Sequence, residues 1–217
     1  MARARAVCHR VGMVDASVFV SAARAFSAFV DRLPADGWER PGLGVWDVRA
    51  LTGHASRSLV TVSTYLRRPA SVEALASPVA YYAMVAVMSA ADVGAVEQRG
   101  RDAGAALGED PAAAVRGLAE AAVADVARDD DPLIETIGGG MRLSAYLPTR
   151  TFELVVHSLD LAEATGVAYT APESALAESV ELAARIAVAR GDGVPCCAHS
   201  PVGARSPAGS PSCRPAS

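Results

Sequence analysis

The chain has 217 residues, 51 % of them hydrophobic, and a formal net charge of −4. That is enough for one domain with a sizeable core and too apolar for global disorder. No block of like charge is long enough for a nucleic-acid footprint, and the longest uncharged apolar stretch, the 13 residues of 79–91, falls short of the roughly 20 that a membrane span needs.

Residues 1–12 have no periodicity and read as an unstructured or mis-assigned start, with Met13 a second candidate for initiation. Asp15 is placed to cap a first helix over 16–33, in which Phe19, Ala22, Ala23, Phe26, Phe29, Val30 and Leu33 recur at helical spacing. Pro34 and Gly37 stop it, and Trp38 and Trp46 bracket a loop that they pack onto the helices. A second helix spans 46–67, with Val48, Leu51, Ala55, Leu59, Val62 and Leu66 on one stripe. A third covers 78–107, with a break expected near Gly94 or Gly100, because glycine costs about 1 kcal/mol against alanine inside a helix. Asp110-Pro111 is a cap followed by proline at the first helical position, and the fourth helix runs from there to the acidic residues 129–131.

Residues 133–144 are the only strand-like piece, a short hairpin or extended loop around Gly138-Gly139-Gly140. That glycine run is not a phosphate loop, since no lysine follows it at the Walker spacing. A fifth helix runs over 148–165 to Gly166, and a sixth over 172–190 to Gly191. Long helices with short connections predict an all-α antiparallel bundle over 13–191. From 192 to 217 the chain turns to Cys, Pro, Ser, Gly and Arg without apolar periodicity. This end reads as a disordered tail or as a shifted reading frame. Back-translating the stretch from Cys196 in GC-rich codons and reading one base earlier yields a sequence like the continuation of a globular domain. On that reading Cys196, Cys197, His199 and Cys213 are not a metal site. With Cys8, all four cysteines lie near the termini and cannot staple a core, so the expected compartment is a reducing cytoplasm. Arg24 interrupts the first apolar run, which argues against a signal peptide.

The fifth predicted helix is apolar nearly all round and yet carries Glu153, His157 and Asp160. Residues four apart share a helix face, and a buried carboxylate has to be neutralised, paired or metal-bound. Glu153 and His157 therefore read either as an oxygen and a nitrogen ligand for zinc or another divalent metal, or as a buried hydrogen-bonded pair. His54, at the edge of the second helix's core stripe with Ser58, Thr61 and Tyr65 on its own line, is the candidate third ligand; the alternative is a satisfied core histidine. Asp160 is a candidate partner that orients a ligand histidine, or else a capping acid. Arg57, one turn from His54, is a candidate for binding a substrate carboxylate, or else a surface arginine.

Trp38 followed by Trp46-Asp-Val-Arg-Ala-Leu-Thr-Gly-His54, and Arg150-Thr-Phe-Glu153-Leu-Val-Val-His157-Ser-Leu-Asp160, resemble the two motifs of the mycothiol-dependent maleylpyruvate isomerase N-terminal domain family, in the DinB-like superfamily. The resemblance covers about residues 13–191. It implies a DinB-like four-helix bundle with one or two extra helices, holding a divalent metal, usually zinc, on His54, Glu153 and His157. In the isomerase a thiol adds to a cis double bond, the bond rotates and the thiol leaves. A metal would assist by lowering the thiol pKa. No cysteine here is placed to be that thiol, so mycothiol would enter as a co-substrate, and mycothiol suits the GC-rich coding bias behind an arginine-only set of basic residues. The full isomerase has a second domain contributing to its site, and this sequence stops after its sixth predicted helix.

The resulting expectation is a cytoplasmic, metal-binding protein, a mycothiol-dependent isomerase or transferase acting on a small electrophilic or unsaturated acid. The alternatives are a non-catalytic metal-binding module or a truncated inactive copy. Its partners would be a small thiol and a small organic acid, with neither nucleic acid nor membrane. A homodimer through bundle faces is left open.

Overall fold

The computed structural model describes residues 14–91 and 93–192. The expectations for residues 1–12 and for the tail beyond 192 lie outside them. Within the described residues the chain forms seven helices and one small sheet: α1 Ser17–Val30, α2 Val48–Leu66, β1 Glu73–Leu75, α3 Pro78–Ala91, α4 Val93–Ala105, α5 Pro111–Asp125, β2 Leu133–Thr136, β3 Gly139–Arg142, α6 Leu143–Thr165 and α7 Glu173–Arg190. The all-α class is as expected.

Four helices close a ring. α1 packs on α6, α6 on α2, α2 on α5 and α5 back on α1. The helices adjacent in sequence, α1 and α2, thus face each other across the diagonal. The core fills from the stripes read off the sequence. Phe19, Ala22, Ala23, Phe26, Phe29, Val30 and Leu33 are all buried, as are Val48, Leu51, Ala55, Leu59 and Val62. α4 lies on the outside of α2, and α7 covers α6 with α3 beside it.

The ends of the elements follow local chemistry. Asp47 caps α2 by accepting from the Ala50 N–H at 2.7 Å. Asp110 caps α5 by accepting from the Ala113 N–H at 2.9 Å, with Pro111 at the first position. Gly166 and Gly191 end α6 and α7.

Several boundaries differ from expectation. The cap of α1 is Ala16 rather than Asp15, whose carboxylate accepts from the Ser17 N–H at 3.0 Å just ahead of the helix. α5 stops at Asp125, short of the acidic run. The expected third helix is two helices, α3 ending at Ala91 and α4 starting at Val93, so the break falls near Gly94, one of the two places expected. Gly100 is instead buried inside α4, where its missing side chain makes room for the Trp46 indole. α6 starts five residues before Pro148. The proline forfeits one backbone bond, to Ser144, while the turn it would have excluded buries Leu143, Tyr146 and Leu147. Nor is α6 buried all round, for Leu159 is 46 % exposed.

The hairpin of β2 and β3 forms with Leu133 opposite Arg142 and Thr136 opposite Gly139. A third strand, β1, which the sequence reading missed, runs parallel to β3 on its other edge. It has only three residues, too few to show alternation, and its pairing depends on Gly140, where any side chain would overlap the Val72 carbonyl.

The α2–α4 contact depends on glycine in the same way. A Cβ on Gly53 would overlap the backbone of Ala103 and Gly104, and a Cβ on Gly104 would fall 2.8 Å from the Ala50 Cα. Backbone, not a flexible side chain, stands in the way, so the helices would have to separate. Gly53→Ala is expected to cost about 3 kcal/mol or more, the upper end for overpacking. Gly117→Ala, with open space around it on the exposed face of α5, should gain about 0.5–1 kcal/mol. Denaturant unfolding of the two variants checks the pair, and equal stabilities would contradict the close crossing.

Candidate metal centre

α6 presents Tyr146, Arg150, Glu153, His157 and Asp160 at successive spacings of four, three, four and three residues, so they form one line along the helix. α2, packed against it, brings His54 to the middle of that line. Glu153 Oε2 lies 3.2 Å from His157 Nε2 and 3.9 Å from His54 Nε2. The two imidazoles meet edge to face at 4.9 Å between centroids. One ligand atom from each of the three residues lies within 4.8 Å of the others, so the group could hold a metal ion.

Each member is fixed from behind. His157 Nδ1–H donates to Asp160 Oδ2 at 2.9 Å, which turns Nε2 toward Glu153. The Tyr82 hydroxyl, from α3, donates to Glu153 Oε1 at 2.7 Å and leaves Oε2 facing the histidines. His54 lies against the Trp46 indole, with centroids 4.5 Å apart and the planes inclined by 31°. Trp46 is itself anchored by Nε1–H donating to the Glu97 carbonyl of α4 at 3.0 Å. So the loop before α2 does pack onto the bundle through Trp46, and its packing orders the site.

The electrostatics follow from burial and pairing. Burial works against a charge on Glu153, but the hydrogen bond and the charge of His157 outweigh it and hold the carboxyl well below the usual range. Burial works likewise against His157, and the hydrogen bonds to Asp160 and Glu153 overcome it, raising its pKa to about 9. His54 gets no such help. Burial, and then the charge on His157, push it down to about 4, so it is neutral. Neither of its ring nitrogens has a hydrogen-bond partner among the described residues; Nδ1 is fully buried and Nε2 comes no nearer than 3.9 Å to Glu153. Leaving a buried polar group unpaired typically costs about 1–3 kcal/mol, and a neutral imidazole with a free lone pair is the state a metal ligand requires.

A cavity of about 270 Å³ opens beside this group between α2, α3, α4 and α6. His54, Glu153 and Arg150 line it, with Arg57, Thr61 and Tyr65 from α2, Tyr81, Val85 and Met88 from α3, Arg99 from α4, and Ile137 from the hairpin. The sequence reading named His54, Glu153, His157, Asp160 and Arg57, and the structure brings the first four into one connected cluster with Arg57 on the cavity wall. Trp46 was expected only to pack its loop and Arg150 stood only in the second motif, so neither was named for the site, and Tyr82 was not named at all. Arg150 was recoverable, since it stands three residues before Glu153 on the same face. Tyr82 sits in an apolar stretch with no signal of its own.

No curated protein and no solved structure matches the chain. The family model described as the mycothiol maleylpyruvate isomerase N-terminal domain matches residues 19–162. That span holds both halves of the His54, Glu153 and His157 cluster and all four helices of the ring. The chain belongs to the mycothiol maleylpyruvate isomerase N-terminal domain family.

Proposed function

We propose that this chain is a divalent-metal protein, with zinc the preferred ion and His54, Glu153 and His157 its ligands, and that it uses an external thiol, mycothiol, to isomerise or transfer onto a small electrophilic or unsaturated acid. The observation that carries the metal assignment is the spacing of the three ligand atoms. Atoms bound tetrahedrally to zinc at about 2.0–2.1 Å stand about 3.3 Å apart, and the two distances from Glu153 Oε2 are 3.2 and 3.9 Å. The donor set, two imidazoles and one carboxylate, suits zinc, and three protein ligands leave a coordination position for a substrate. The cavity beside the group favours an open position over the filled shell of a purely structural site.

A metal held there supplies Lewis acidity that favours a bound thiolate over the thiol. The chain's own residues do the rest. Tyr82 limits Glu153 to one free oxygen. Asp160 fixes the ring of His157 so that Nε2 points to the centre. Trp46 holds His54 in plane contact while leaving its nitrogens unbonded. Val85, Met88 and Ile137 provide apolar wall against which carbon atoms of a substrate can lie. Neither the ligand cluster nor the described cavity wall carries a cysteine, and the reading takes its thiol as a co-substrate.

Mass spectrometry of the purified protein should find close to one divalent metal per chain. His157→Ala should lower zinc affinity by more than about 100-fold, and a folded parent that takes up no metal when reconstituted would sink the assignment. Asp160→Asn and Tyr82→Phe leave all three ligands in place and should weaken zinc about 10–100-fold, the range for groups that orient ligands; competition with a chelator reads the difference. Cobalt(II) in the site reports the thiol directly. Mycothiol should add a sulfur-to-metal charge-transfer band to the wild-type spectrum, and its absence at saturating thiol would leave a metal-binding module without thiol chemistry.

A further inference from the structure

Arg150 is the most buried arginine among the described residues. It is 8 % exposed. Its Nε–H donates to Thr149 Oγ1 at 3.0 Å, and its guanidinium carbon lies 5.2 Å from the Tyr81 ring centroid and 4.9 Å from that of Tyr146. Among the described residues no carboxylate pairs with it. Glu153 is engaged by His157 and Tyr82. The two tyrosines do not serve as counter-anions, because burial raises both phenols above their ordinary range. A buried charge ordinarily has a partner or pays heavily for lacking one. Here the rings support the guanidinium by cation–π contact; the neutral Tyr81 hydroxyl interacts with it, but no anion among the described residues neutralises its fork, which stands at the wall of the cavity that holds Glu153 and His54.

The charge of that cavity is one-sided. Arg57, Arg99 and Arg150 line it against the single carboxylate of Glu153. Arg57 is partly exposed and Arg99 exposed, so water screens both, and only Arg150 meets a ligand in a desolvated setting.

We infer that Arg150 is the specificity-determining residue of the cavity, an anchor that takes a carboxylate of the ligand bidentately while the rest of that ligand faces His54 and Glu153. The inference rests on the cavity being the substrate pocket of the proposed function, and it names which side chain reads the acid. The rigid fork matches the geometry of a carboxylate, and the flanking tyrosines hold its plane before any ligand enters, which limits the ordering cost on binding.

The test uses succinate as the anion and dimethyl succinate as its uncharged isostere, titrated calorimetrically into metal-free and zinc-loaded protein. Wild type should bind succinate in both forms and discriminate against the diester at least about tenfold. Arg150→Met should lose succinate at least about tenfold, whereas Arg185→Gln, at an exposed arginine of α7 outside the cavity, should stay within about threefold. A folded Arg150→Met protein that binds succinate like wild type overturns the inference, as does a wild type that takes the diester equally well. Should Arg150→Met fail to fold, Arg150→Lys keeps the charge without the fork. It should still bind at least about fivefold more weakly, and unchanged affinity would count against the anchor. The metal-free arm separates the two readings. Arginine-dependent binding there survives even if no metal is taken up, and a zinc-binding protein that ignores the anion loses only the arginine assignment.

Discussion

The carboxylate of Glu153 sets the terms for everything around it. It sits in the seam between α2 and α6, where an uncompensated charge would be costly enough to neutralise the group or open the helices. Compensation comes from two sides. His157, one turn along the same helix, supplies a positive charge to one oxygen, and Tyr82, from α3, supplies a hydrogen-bond donor to the other. Each tie then needs its own support. His157 leans on Asp160. Tyr82 shares its one hydroxyl proton between Glu153 and the Thr149 carbonyl, 3.1 Å away, and packs on Phe152. The site is thus assembled by satisfying one buried anion, and α6 provides most of the parts because a single helix face can repeat at intervals of three and four.

The second half of the site depends on packing. His54 gains no hydrogen bond, so its position comes from shape alone. It is held between the Trp46 ring and the His157 ring. Trp46 can lie there because Gly100 admits its indole, and α4 can lie close enough because Gly53 and Gly104 bring two backbones nearly into contact. Close packing of this kind transmits strain. A methyl group inserted at the α2–α4 crossing would therefore be felt at His54, the residue after Gly53. Stability and site geometry are the same constraint here, which is why glycine rather than alanine stands on both sides of the crossing.

Most of the ring was legible in the sequence because each helix declares a stripe. Phe19 to Leu33 and Val48 to Val62 repeat cleanly, and Asp110-Pro111 marks a start without ambiguity. The polar residues of α6 were legible for the opposite reason, as charges on a helix otherwise apolar. What stayed hidden was set by tertiary contact. β1 pairs through a three-residue segment with no pattern of its own. Pro148 suggested a helix start, yet the burial of Leu143, Tyr146 and Leu147 outweighs the hydrogen bond that proline forfeits. Gly100 suggested a break by propensity, and the indole of Trp46 gave it another use. Tyr82 is the second of two adjacent tyrosines in a run of alanine, valine and methionine, and only the packing of α3 on α6 reveals its acceptor.

The aromatic surroundings of Arg150 add a last step. A buried arginine can be stabilised by a carboxylate, which neutralises it, or by ring faces, which do not. An acid at position 81 or 146 would have satisfied the guanidinium and closed the fork to any ligand. Tyrosines at both positions hold its plane without neutralising its charge. Tyr146 is fixed in turn by donating to Thr61 on α2 at 2.9 Å, so the stack is tied to both helices that carry the metal-ligand candidates. The cavity therefore presents two elements of opposite character on one helix line, a Lewis-basic ligand cluster centred on Glu153 and a guanidinium one turn before it. On the proposed function, a small molecule with an anionic end and a reactive carbon is the shape of ligand that would engage both at once.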